Sequence, residues 1–454
     1  MKSLDTTNDF ALQSLQKNQT QVILTLCLVF MIAFLLIYFP VISIYFFPIL
    51  ISIFIVRFSW LMWLVIALFP FQFLPIGLEN ILYKISYYDV ILLLLVIKFA
   101  WKMVLRHIKF HDRQLLYILS LFYLVCVLSI IKAGLRIESI YFLLRFAALL
   151  VTFLLLVDCV RERPLGWWLS ALLMSLLILI IGAINEVLHS PAKVELLSIE
   201  GQVRFGSIYH QPNETAHAIA VFLPMIVGFT FFPKIRRVIH SLLMVTAVFM
   251  GLILVLSESR GGLISATAGL IILTLYTRKF SLFLMVILLG ISLAYSPGWI
   301  EKLATIRQRS AISRVELIEY GFKSIIEHPF LGIGVRKFRE LGEYTFMPLE
   351  IMGRAPHNLY LRLAVETGIL GLVAFLAFPS YIWRKISKFK EQKRKSNRLI
   401  KGIALSSFVS VFCSYFFTGG ILFFPKWISL AIAIGLTEQF FSFDLKNQKV
   451  SVQK

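Results

Sequence analysis

Long apolar runs recur along nearly the whole of this 454-residue chain, and each is long enough to cross a hydrocarbon layer of roughly 30 Å. Fourteen such runs are readable: near 22–39, 41–56, 60–76, 87–101, 115–131, 139–157, 166–187, 213–232, 238–256, 261–276, 280–296, 358–382, 402–417 and 422–441. A backbone inside lipid must bond to itself, so unbroken apolar runs predict helices. Barrel strands instead alternate apolar and polar residues over about ten positions. The fold class is therefore all-α polytopic membrane protein, with about 12–14 transmembrane helices. The spread reflects the first two runs, which only Pro40 separates. A polar stretch of 21 residues precedes them and no small-residue cleavage site follows, which predicts a retained first span rather than a signal peptide.

The formal charge of +21 would point to nucleic acid in a soluble protein. Here most of the excess lies in every second short loop between the spans: Arg57; Lys102, Arg106, Lys109 and Arg113; Arg161 and Arg163; Lys234, Arg236 and Arg237; Arg278 and Lys279. The 384–401 loop adds nine Lys or Arg against the one acid Glu391. All fall on one side, with both termini, and the Lys/Arg bias makes that side cytoplasmic. The charge thus predicts no nucleic-acid partner, and the 384–401 loop is expected to meet anionic lipid headgroups. Cys27, Cys126, Cys159 and Cys413 lie in or beside apolar runs without metal-type spacing, and read as core residues.

Two longer loops fall on the outer side, 188–212 and 297–357. In the second, Ser313 to Glu327 has an amphipathic pattern, with Val315, Ile318, Phe322, Ile325 and Ile326 near one face. His328-Pro329 should end that helix, and Gly332-Ile333-Gly334 reads as a flexible turn. The segment reads as a helix lying at the membrane interface or as a lid over an outer cavity, and the two are compatible.

Three short motifs open three outside-to-inside spans. The first is Gly201-Gln202-Val203-Arg204, leading through Pro212 to Asn213 and Glu214, with Asn213 expected as the N-cap. The second is Ser257-Glu258-Ser259-Arg260-Gly261-Gly262, where Ser257 or Ser259 can cap. The third is Pro356-His357-Asn358-Leu359-Tyr360, with Asn358 as cap. A helix start beside an arginine is a ready anion site. His357 stands directly at a helix start, and imidazole, with a pKa of about 6.5, can accept a proton at neutral pH. Each motif alone has an ordinary explanation: arginines anchor helices at membrane boundaries, a boundary histidine is more often structural, and Asn or Ser usually only caps. Their shared face and helix direction point beyond that.

No two of the six Asp form an outer-face acidic pair, so no DxD-type metal site is expected. No P-loop, nucleophile elbow or CxxC is present, and no cofactor is predicted. Arginines and helix dipoles, with a histidine base, suit the departure of a diphosphate from a sugar under attack by a hydroxyl. A transporter or flippase is the alternative, against which the spans carry few charges.

At these residues the chain resembles the O-antigen ligase and polymerase superfamily of bacterial envelopes. The resemblance covers roughly 200–380: Arg204 to Asn213, Ser259-Arg260-Gly261-Gly262, Arg314 through Pro329-Phe330-Leu331-Gly332-Ile333-Gly334, and His357-Asn358 with Tyr360, Glu366, Gly368 and Gly371. The last spacing, His-Asn, nine residues, then Gly-x-x-Gly, is the most specific. The resemblance implies a GT-C-like, metal-independent, inverting glycosyltransferase in the bacterial inner membrane, acting at its outer face. It implies an undecaprenyl diphosphate-linked glycan as donor and a saccharide acceptor, either lipid A-core or a growing glycan. Arg204, Arg260 and His357 are the implied catalytic residues. Arg314, Asn213, Asn358 and Ser259 are the expected substrate contacts. The expected division is an N-terminal bundle (1–199), a ligase-like region (200–382) and a C-terminal part with the basic loop and last two spans (383–454).

Overall fold

The computed structural model describes residues 58–73, 86–104, 110–189, 206–209, 211–233, 235–279, 306–340, 357–389 and 395–452. Among these lie twelve α-helices: α1 (Phe58–Ala67), α2 (Tyr87–Val104), α3 (Arg113–Ala133), α4 (Ile137–Glu162), α5 (Leu165–His189), α6 (Pro212–Thr230), α7 (Arg237–Leu256), α8 (Arg260–Thr277), α9 (Ile306–Glu327), α10 (Leu359–Ser387), α11 (Lys395–Ser414) and α12 (Phe424–Val452). Six of them, α3, α4, α5, α7, α8 and α10, are long and apolar enough to cross a membrane. The protein is an all-α polytopic membrane protein. The expected spans at 22–39, 41–56 and 280–296 lie outside the described residues.

Three local expectations need correction. The span near 60–76 is not one helix: α1 ends at Ala67, and a 3₁₀ turn follows at Phe69–Phe73. Pro70 explains the break, since it offers no N–H and disfavours a helical residue before it. The helix expected from Ser313 starts earlier, at Ile306. Its outward stripe of Ile318, Phe322 and Ile326 continues to Phe330, while Leu317 is buried, with Leu361 and Val365 in the same small core. Gly332-Ile333-Gly334 is the third case and is taken up below.

One apolar core joins residues from early, middle and late sequence. Trp427 of α12 lies 5.3 Å from Phe153 of α4 and 5.2 Å from Phe378 of α10. In lipid, helices associate through packing and hydrogen bonds rather than through expulsion of water. Two serines do this around α6: Ser410 of α11 donates to the Ala220 carbonyl (2.7 Å), and Ser429 of α12 to that of Val221 (3.0 Å).

α10 is broken at Gly368, where φ is 67° and ψ is −170°. A break inside a span frees backbone groups that lipid cannot satisfy. The segment after α9 satisfies them. The carbonyls of Pro329 and Phe330 accept from Ile369 and Leu370 N–H, while Ile333 and Gly334 N–H donate to Val365 and Glu366 carbonyls. Gly332-Ile333-Gly334 is therefore not a flexible turn but a rail docked in the break. Ser129 and Lys132 of α3 add bonds to the Glu366 and Gly332 carbonyls, of 2.7 and 3.3 Å. Only glycine suits position 368: a Cβ there would lie 2.2 Å from the Phe330 oxygen.

Candidate functional site

Each of the three motif helices has its start at the same end of the bundle. α6 begins one residue earlier than expected. Gln211 is its N-cap and makes no side-chain cap bond; Pro212 holds the first helical position, and Asn213 lies inside the first turn. Proline at that position needs no N–H partner and arrives with helical φ, which displaces Asn213 from the cap. The other two caps form. Ser259 caps α8, accepting from Gly262 N–H at 3.4 Å, and Asn358 caps α10, accepting from Leu361 N–H at 3.0 Å. Ser257 instead ends α7, donating its hydroxyl to the Leu254 carbonyl at 2.7 Å.

What unites these starts is the turn after α11, residues 414–418, which no sequence motif marked. Ser414 Oγ is 2.8 Å from His217 Nδ1 of α6. The Tyr415 carbonyl accepts from Leu359 N–H, the first residue of α10, at 2.8 Å. The Phe416 ring lies 4.5 Å from that of Tyr360. Phe417 presses on the start of α8: a Cβ on Gly261 would fall 2.4 Å from Phe417 Cβ and 3.1 Å from His217 Cε1. Gly261 is thus required for the close approach of Phe417 and His217 to the start of α8.

The start of α12 closes the cluster from below. Lys426 is fully buried, its Nζ donates to Thr418 Oγ1, and the ammonium stands 4.0 Å over the Tyr415 ring. Glu214, in the first turn of α6, is the opposite charge that acts on it. A buried amine is costly unless it is partnered, and the Thr418 hydroxyl, the Tyr415 ring and the nearby Glu214 surround this one. His217 lies close enough to Lys426 and His357 for the charge of each to act on it.

Arg260 and His357 are both exposed at this surface. Between α7 and α8, Glu258 has φ of 48°, a left-handed conformation that costs a non-glycine residue on the order of 1 kcal/mol. The structure thus brings together Asn213, Ser259, Arg260, His357 and Asn358. Arg204 lies outside the described residues, and Arg314 lies on α9 with its side chain outside them.

Other motif residues hold rather than face the site. Glu366 is buried; its Oε1 accepts from Arg362 Nε at 2.9 Å and from Phe338 N–H at 3.4 Å. Arg362 also donates to the Gly419 carbonyl at 3.2 Å, tying α10 to the same turn. Tyr360 donates to the Phe412 carbonyl at 3.0 Å. Sequence reasoning missed Glu258, His217, Lys426 and the 414–418 turn. A histidine and a lysine inside apolar runs were the available signal, since intramembrane ionisable groups are rare without a role.

Residues 245–376 match the profile of a family described as O-antigen ligase. That stretch carries Glu258, Ser259, Arg260, Arg314, His357 and Asn358. A protein from Pseudomonas aeruginosa named O-antigen ligase is 26% identical over 235 residues, 52% of this chain and 50% of that protein. The similarity therefore spans about half the length of this relative.

Proposed function

We propose that this chain, which belongs to the O-antigen ligase superfamily, moves a glycan from an undecaprenyl diphosphate carrier to a saccharide acceptor at the outer face of the inner membrane. The observation that carries the proposal is the joining of three helix starts, with Arg260 and His357 exposed, through one turn. Helix starts and a guanidinium concentrate positive charge where a diphosphate must gather negative charge as it leaves. Arg204 would add a second guanidinium, and Arg314 a further contact. His357 takes the proton from an acceptor hydroxyl as that oxygen attacks the anomeric carbon. The bond from sugar to diphosphate breaks, the lipid diphosphate departs, and the configuration at that carbon inverts. No metal is required for charge that the arginines and dipoles neutralise.

A transporter would use buried acids as a mobile relay. Three of the buried or half-buried acids have fixed partners instead: Glu366 with Arg362, Asp89 with Arg145 at 2.8 Å, and Glu186 with the N–H groups of Gly206 and Ser207 at 2.8 and 2.7 Å.

The test is transfer by the protein in lipid discs, first with an undecaprenyl diphosphate-linked repeat unit alone and then with lipid A-core added. A ladder of products that His357→Ala abolishes means polymerase. Product only on adding lipid A-core, again lost in His357→Ala, means ligase. No transfer to either acceptor overturns the proposal.

A further inference from the structure

Lys426 is a buried group that the transfer chemistry leaves unused. It lies in the first turn of α12 and is fully buried. A lysine inside a membrane bundle is costly, and rare without a role. Methionine or leucine would fill the same space without taking an amine out of water. What neither could supply is a directed hydrogen bond.

That bond ends on the turn that joins the three helix starts. Lys426 Nζ donates to Thr418 Oγ1, and the Thr418 hydroxyl donates in turn to the Ser414 carbonyl at 3.2 Å. With its proton committed to Ser414, the Thr418 hydroxyl offers only lone pairs below, and only a donor can meet them. Ser414 Oγ continues the chain to His217 Nδ1 of α6 at 2.8 Å. The same Nζ lies 4.0 Å from the centre of the Tyr415 ring and 5.8 Å from that of Phe423. From this turn the Tyr415 carbonyl takes the N–H of Leu359, two residues past His357. Phe417 presses on Gly261, one residue past Arg260. A turn that shifts therefore shifts the start of α8 against the start of α10. We propose that Lys426 is a positioning residue: from below, its bond to Thr418 fixes the 414–418 turn, and through the turn the spacing between Arg260 and His357. The inference rests on the function proposed above, because that spacing serves the transfer.

Three variants separate placement of the site from mere stability. Initial transfer rates of the full chain in lipid discs are measured over a range of undecaprenyl diphosphate-linked repeat unit, with the acceptor that wild type uses. Thermal midpoints are measured alongside, and the rates are taken well below them. Lys426→Met is combined with Glu214→Gln, so that no carboxylate is left facing an apolar side chain. Removing both buried groups should leave the midpoint unchanged or higher. kcat should nevertheless fall about tenfold, with KM within about twofold, as expected when reacting groups are misplaced but the donor still binds. Thr418→Val keeps the shape, deletes only the acceptor, and should also lower kcat. Thr418→Ser keeps the hydroxyl and should restore the wild-type rate. A folded double variant, or a folded Thr418→Val protein, that transfers like wild type overturns the assignment. So does failure of both to fold, or a double variant whose transfer falls only as its midpoint falls, since Lys426 would then serve the fold. Wild-type protein that transfers to no acceptor overturns the proposed function itself, a result distinct from these.

Discussion

At the site end of α10, Arg260 and His357 stand exposed; at its far end, beyond the break at Gly368, Lys385 lies between Asp112 and Glu438. Asp112 caps α3 by accepting from Leu115 N–H at 2.9 Å, and its carboxylate also takes the Tyr381 hydroxyl at 2.6 and 2.7 Å. Arg161 of α4 adds a contact to Glu438 at 3.9 Å. Four helices, α3, α4, α10 and α12, are thereby clasped by charges that satisfy one another. At the other end α10 and its neighbours are joined by hydrogen bonds, ring contacts and the Arg362–Glu366 pair. The clasped end is tied by ion pairs across four helices, while at the site end Arg260 and His357 stand exposed. The clasped end is the one that Lys/Arg counting predicts to be cytoplasmic.

α10 runs between the two ends, and Gly368 is its joint. Gly368→Ala should have the largest structural effect, a loss of about 3–5 kcal/mol. The new Cβ would sit 2.2 Å from the Phe330 oxygen on a backbone at positive φ, and would expel the 329–334 rail from the break. Thermal unfolding in detergent reads the loss. Transfer should fall with it, because Arg362 and Glu366 reach the 414–419 turn from the same half-helix. Full transfer in a destabilised Gly368→Ala protein would mean that the turn alone holds the site.

The clasp itself is broken by Asp112→Asn. Asparagine caps a helix as well as aspartate does, so the change removes charge and keeps the cap. A loss of about 2 kcal/mol is expected, less than for an isolated buried pair because Glu438 still holds Lys385. Burial alone would push the Asp112 carboxyl up; hydrogen bonds from Lys385, Tyr381 and Leu115, with the Lys385 charge, outweigh it and hold it below the ordinary carboxylate range. The sign follows from that depression. The stabilisation is complete above the unfolded value of about 3.9 and fades as pH falls through the lower folded value. Thermal midpoints of wild type and Asp112→Asn should therefore differ at pH 7 and converge below about pH 4. Site chemistry should change little, which would sharpen the division between the ends.

The sequence carries the helical character of the chain and the caps Ser259 and Asn358, because apolar length and cap chemistry are local properties. It carries the closeness of the motifs only as a shared face. The contact that joins them, Ser414 to His217, spans 197 positions and has no periodicity to announce it. The misreadings at Asn213 and at 60–76 share a cause: Pro212 and Pro70 each moved a helix end, against cap chemistry in the first place and an apolar run in the second. The Gly332–Gly334 rail was misread for another reason. Glycines permit a turn and also permit close backbone approach, and only the break in α10 distinguishes them.

Asn358 offers the finest cut between holding and binding, since its side chain does one local thing. Asn358→Ala removes a single cap bond at a half-exposed helix start and should cost about 1 kcal/mol. Its effect on transfer should exceed that loss, because the frayed turn is the one that places His357 and receives the Tyr415 carbonyl. Asn358→Asp restores the cap at equal stability but sets a negative charge where a diphosphate is expected. Thermal midpoints should therefore rank wild type and Asn358→Asp together above Asn358→Ala, while transfer rates should place both variants below wild type. If Asn358→Asp transfers like wild type, the α10 start serves only to carry His357, and the anion lies nearer Arg260 and α8.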